Sequence, residues 1–232
     1  MLRASGTSSV GPAHLQFGQP NQDALGLWGW KTGWIAVVCD GLGSRPLSHV
    51  GSRLACLAAR RVTRDGADWG NPRQVIEDIG RMWLETLPIS PAQAATTVLI
   101  AACRANGNCF VAQLGDGLIL CRSEGEFSIL TPERDWFANQ TRSLGSSESW
   151  LDWRMSRLRL VAPGDGIMMM TDGMSDDLRP DLLEAFFRMM QKECRCRSRR
   201  RAKKWLQAQL EEWPTPGHSD DKTVAMIFRG PR

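Results

Sequence analysis

The sequence predicts an α+β fold in which helices pack on antiparallel sheet, and three observations carry that expectation. Its elements run as strands, two helices, a series of turn-linked strands, more helices and a closing strand, without regular strand–helix alternation. Asn106-Gly107, Gly115-Asp116-Gly117 and Glu124-Gly125 separate strand-like segments, and such residues favour tight turns. The 232 residues, 42% apolar, can bury a substantial core, so a single domain over 1–232 is expected, with 1–12 as a flexible Gly/Ser-rich N-terminus.

In chain order, "ALGLWGW" (24–30) and "WIAVVC" (34–39) read as two strands joined by a polar turn. "PLSHVGSRLACLAARRVTRDG" repeats apolar residues at helical spacing (Leu47, Val50, Leu54, Leu57, Ala58) and ends in cations and Gly66. "NPRQVIEDIGRMWLETLP" is a second helix, with Asn71 as cap and Pro72 at its first position. "AATTVLIAACR", "NCFVAQL", "LILCR" and "EFSILT" then read as hairpin-linked strands. "DWRMSRLRL" alternates, "GIMMMT" is a buried strand, helices fill 180–192 and 199–212, and "TVAMIF" closes the chain.

Net charge is +4, but the excess is local. "RCRSRRRAKK" (Arg195–Lys204) holds seven cations and no acid, and reads as a solvated helix face. One such run beside a single Trp205 is weak support for nucleic-acid binding. No stretch approaches the ~18 apolar residues of a membrane span. The seven cysteines lie mostly in apolar segments, and the Cys194/Cys196 pair has no second pair to complete a zinc site. Reduced thiols and a cytoplasmic setting are therefore expected.

Asp-Gly occurs five times. Any such pair suits a turn, and Asp65-Gly66 (helix end) and Asp165-Gly166 (between strands) fit that role fully. Asp40 and Asp172 differ, because each ends a buried apolar strand and precedes a helix-like segment. Asp116 lies between two strands, where a hairpin turn explains it as well. Asp23 and the pair Asp220-Asp221 directly precede strands. If the sheets bring these ends together, four to six carboxylates converge and repel one another unless cations fill the cleft. Oxygen ligands without His or Cys indicate Mg²⁺, Mn²⁺ or Ca²⁺.

With these residues in order, the sequence resembles the type 2C, metal-dependent serine/threonine protein phosphatases, in a compact bacterial form. The resemblance spans nearly the whole chain: "NQDA" (21–24), "VVCDGLGS" (37–44), "ATTVLIAA" (95–102), "AQLGDG" (112–117), "RSLG" (142–145), "MMMTDGMSDD" (168–177) and "SDDKTVAMI" (219–227). It implies a four-layer α-β-β-α sandwich of two antiparallel sheets with a two-metal centre holding Mn²⁺ or Mg²⁺. Asp40 and Asp172 would be its catalytic centre. The metal set would be Asp23, Asp40, the Gly41 carbonyl, Asp172 and Asp220, with Asp116 and Asp176 at a weaker third metal. The implied reaction is hydrolysis of phosphoserine or phosphothreonine by metal-activated water, on a phosphorylated protein partnered with a serine/threonine kinase or its targets, in signalling.

Departures are visible. Gly18 stands where the family often has a phosphate-binding Arg, Gln22 where many members have Glu, Ala95 opens the Gly-Thr-Thr segment, and Gly117 follows Asp116. His14 and Arg45 are the candidates to bind the substrate phosphate. A catalytically weak relative that binds phosphoproteins and a basic metal-dependent nuclease are the alternatives.

Overall fold

The computed structural model describes residues 1–64, 70–131, 142–146, 149–213 and 219–230. Among the described residues, ten strands form two five-stranded sheets, and every strand pair is antiparallel. The first sheet has the order β1 (Leu2–Ser9), β10 (Lys222–Arg229), β9 (Gly166–Met170), β6 (Leu118–Ser123), β7 (Glu126–Ile129). The second has β2 (Ala24–Trp30), β3 (Gly33–Cys39), β4 (Val98–Arg104), β5 (Asn108–Leu114), β8 (Arg154–Arg159). Helices α2 (Ser48–Arg64) and α3 (Pro72–Thr86) cover the second sheet, and α5 (Leu183–Arg195) and α6 (Arg199–Glu211) cover the first. The Asn71 side chain accepts the Gln74 N–H, and Pro72 opens α3, as the sequence predicts. The expected cap Gly66 lies outside the described residues.

Strand periodicity makes the four layers. Along β3, Ile35, Val37 and Cys39 face the helices, against Ile79 and Trp83, while Ala36 and Val38 face the other sheet. Along β9, Met168 and Met170 pack on Phe187 and Leu206, while Ile167 and Met169 fill the space between sheets. Both faces of the central strands are thus buried, and "GIMMMT" and "TVAMIF" read as unbroken apolar runs for that reason.

Two sequence expectations are corrected. Residues 1–12 are not a flexible end: β1 pairs with β10 from Leu2↔Arg229 to Ser9↔Lys222, and Pro12 begins the short α1 (Pro12–Gln16). Arg3 locks this strand to α5, donating to the Arg195 carbonyl at 2.6 Å. Nor do β5 and β6 form a hairpin. The Asp116 loop carries the chain from one sheet to the other, because β5 pairs with β4 and β8 while β6 pairs with β7 and β9.

Register then places the acidic residues. Pairing of Ala24 with Cys39 sets Asp23 beside Asp40 at one end of the second sheet. Pairings of Val224 and Leu118 with Met170 bring Asp220, Asp116 and Asp172 to one end of the first.

Candidate metal centre

Asp40 leaves the end of β3 with its backbone clamped. Its N–H donates to Thr97 Oγ1 (3.1 Å), and its carbonyl accepts Thr97 N–H (2.7 Å) and Thr96 Oγ1 (2.9 Å). Gly41 N–H reaches the Gln22 carbonyl at 3.2 Å. A Cβ on Gly41 would meet that carbonyl and Ser48 at 2.8 Å, so only glycine lets the loop lie here. Asp172 opens α4 (Asp172–Ser175) behind Thr171. Asp116 rides on a loop tied down by the buried Gln113, whose amide donates to the carbonyls of Gly115 (3.0 Å) and Gly117 (2.7 Å).

Carboxylate oxygens of Asp40, Asp116 and Asp172 lie within 4.8 Å of one another. They line a cleft of about 360 Å³ together with Gly41, Asp220 and His14. Burial pushes the Asp40 carboxyl well above the usual carboxylate range, and the charges of Asp23 and Asp172 add to this. Asp172 is raised as well, by burial and then by Asp116. Among the described residues no backbone N–H donates to the Asp40 or Asp172 carboxylate. Asp165 is the contrast: a fully buried aspartate, it accepts the N–H groups of Glu124, Gly125, Val161 and Ala162 and serves its turn alone. The carboxylates of Asp40 and Asp172 are thus left without backbone donors, and an all-oxygen set with a glycine cradle fits hard divalent cations.

The remaining candidates divide. Asp23 is buried directly behind the cluster and accepts Thr171 Oγ1 at 2.9 Å. Burial pushes its pKa well up, with the charges of Asp221 and Asp172 adding and the Thr223 and Thr171 hydroxyls opposing. Asp220 is exposed at the cleft rim, and Asp176 is exposed outside the three-carboxylate cluster. His14 lines the cleft, whereas Arg45 is exposed on the turn beyond Gly43 and does not.

Sequence reasoning missed Asp221 as an organiser. Its carboxylate is buried, accepts Gly11 N–H (2.7 Å) and Gln22 N–H (2.6 Å), and lies 2.9 Å from His14 Nδ1, off the line of a hydrogen bond. It joins the segments that carry His14, Asp23 and Asp220. The Thr96, Thr97 and Thr171 hydroxyls were also missed, since a threonine beside a strand end carries no signal of its own.

The family model described as Protein phosphatase 2C matches residues 10–211. The chain belongs to the protein phosphatase 2C family. Solved structures share the fold of this protein phosphatase 2C member. A bacterial serine phosphatase matches with a TM-score of 0.72 and 14% identity, covering 100% of both chains. PppA, described as a key regulatory component of T6SS in Pseudomonas aeruginosa, matches at 0.67 and 18%, over 98% of this chain and 97% of that one. The serine/threonine phosphatase PstP/Ppp of Mycobacterium tuberculosis matches at 0.66 and 15%, over 99% of both. No curated protein matches the sequence. The matched architecture is the one described above, two antiparallel five-stranded sheets between helix layers. No described helix is long and apolar enough to cross a membrane.

Proposed function

We propose that this chain is a metal-dependent phosphatase acting on phosphoserine and phosphothreonine in proteins. One observation carries the reading: three carboxylates within 4.8 Å in a solvent-reached cleft, with no backbone donor to satisfy Asp40 or Asp172. Asp40 and Asp172 would hold the catalytic pair of cations, Mn²⁺ or Mg²⁺, with the Gly41 carbonyl, Asp23 and Asp220 completing the set. Asp116 and Asp176 belong to a weaker third position. When bound, such cations lower the pKa of a coordinated water and neutralise charge on phosphoryl oxygens.

The chain's own residues prepare that centre. Thr96 and Thr97 fix the Asp40 backbone, Thr171 ties Asp23 to the Asp172 loop, and Asp221 holds the loops around them. Among the described residues lining the cleft, His14 alone can carry positive charge beside Asp220, so it faces the substrate phosphate in this reading. Arg45, exposed on the turn after the Asp40 loop, would meet the phosphoprotein farther out. Seven free cysteines support a reducing, cytoplasmic setting, opposite a serine/threonine kinase in signalling.

Phosphate release from a phosphothreonine peptide tests the proposal. Mn²⁺ or Mg²⁺ should support turnover, EDTA should end it, and Asp40→Asn should lack it. Cation binding by calorimetry without any turnover would instead favour the phosphoprotein-binding relative, the reading that Gly18 in place of an Arg supports.

A further inference from the structure

The basic run Arg195–Lys204 has no part in the acidic cleft. Arg197 is absorbed locally, pairing with Glu193 and lying over Trp205. The α6 residues of the run instead wall a groove on the flank of the sandwich. β1 and β2 are the outer strands of their sheets and lie side by side there, with α6 packed on β1 and α2 on β2. Two cavities of about 500 and 630 Å³ follow this seam and share Leu25, Trp28 and Lys203, so they form one continuous groove.

Its floor is apolar. Leu25, Leu27 and Trp28 are half-buried along it, and Leu57 of α2 is 45% exposed beside them. Its walls are cationic: Arg53 from α2, and Arg199, Arg200 and Lys203 from α6, all exposed. None of the four pairs with an acid among the described residues. Helical spacing puts Arg53 and Leu57 on one face of α2, and Arg199, Arg200, Lys203 and Gln207 on one side of α6. Ala202, Leu206 and Leu210 form the adjoining stripe of α6, in the core. The single acid among the described lining residues, Asp23, is buried at one end.

We propose that this groove docks an acidic, leucine-bearing segment of a partner protein. Unpaired cations on two walls call for negative charge, and a floor of leucines and Trp28 calls for apolar side chains between those charges. Single-stranded nucleic acid fits less well, because it needs free aromatic faces. Arg60 lies over the Trp28 ring at 5.4 Å and Arg199 over Trp34 at 5.1 Å. In the metal-free chain the same acidic segment is repelled from the cleft by Asp40, Asp116, Asp172 and Asp220. Docking is thus separable from the cleft in EDTA, and the inference does not depend on turnover there.

Fluorescence anisotropy on the full chain in EDTA tests it, with a labelled peptide carrying two central leucines flanked by glutamates. Saturable binding is expected. It should weaken about tenfold or more when Arg200→Glu is combined with Lys203→Glu, and likewise with Arg53→Glu on the opposite wall. Serine in place of the peptide's leucines should weaken it too, while Arg104→Glu at the far end of the second sheet should not. Circular dichroism melts verify that each variant is folded. The proposal is overturned if the peptide does not bind, or if its affinity survives both charge reversals. It is equally overturned if the serine peptide binds as well, or if a thymidine oligonucleotide or anionic vesicles displace the peptide at matched charge.

Discussion

Thr171 Oγ1 donates a 2.9 Å hydrogen bond to Asp23 Oδ2, joining residues 148 positions apart beneath the acidic cleft. The same oxygen accepts the Thr223 N–H at 3.0 Å, so one hydroxyl links three segments. Thr171→Val keeps the shape and removes both bonds, leaving the buried Asp23 carboxyl with the Thr223 hydroxyl alone and the buried Thr223 N–H without its partner. Stability should fall by about 1–3 kcal/mol in urea denaturation, and Thr171→Ser should retain most of it. An unchanged midpoint in the valine variant would show that the link is incidental.

Like charges buried side by side make the metal-free site a source of strain in the folded state. Asp40→Asn or Asp172→Asn should therefore raise the melting temperature in EDTA, by about 2–4 °C for each kcal/mol of repulsion relieved. Mn²⁺ should raise the melting temperature of the parent chain, and the same variants should lose both that shift and phosphopeptide hydrolysis. A variant that melts lower without metal would contradict the repulsion argued here.

The cysteines should be spectators. Burial pushes Cys121 up to about 12 and Cys194 up to about 11, and raises Cys39 and Cys103 well above the usual thiol range, whereas Cys196 is exposed. A thiol pKa raised on folding leaves stability intact below the unfolded value, about 8.5, and lowers it as pH climbs beyond that. At pH 8 iodoacetamide should label Cys196 in the native protein, spare the buried thiols and leave activity in place. Mass spectrometry of tryptic peptides reads this directly, and labelling of Cys39 before unfolding would refute it.

Much of this was legible before any coordinates. Strands such as "WIAVVC" and "TVAMIF" stand out because both their faces are buried, and Asp40 and Asp172 stand out because each interrupts such a run. β1 was not legible. "LRASGTSS" has no apolar period, since its small residues serve close packing: a Cβ on Gly6 would come within 2.8 Å of the Val224 carbonyl. The crossing at Asp116 was hidden for another reason. A Gly-Asp-Gly loop looks the same whether it turns a hairpin or passes between sheets, and tertiary pairing alone decides. Asp221 was likewise beyond the sequence, because its role depends on the Gly11 and Gln22 N–H groups, over 190 positions away.

Gly173, which follows Asp172, yields the last prediction. An added Cβ there would lie 2.1 Å from the Asp221 carbonyl and 3.3 Å from Asp220 Cβ. The glycine is what allows the Asp172 loop and the Asp220-Asp221 segment to approach, since that contact is with backbone that cannot swing aside. Gly173→Ala must push the two segments apart, moving Asp220 away from Asp172 while every carboxylate remains present. Its cost should be about 1–3 kcal/mol in denaturation, and Mn²⁺ affinity by calorimetry should fall although no ligand has been removed. Gly80→Ala, on α3 with open space around its Cα, is the matched control and should be neutral to stabilising. Equal Mn²⁺ affinity in the two variants would mean that closeness of these loops does not build the metal site.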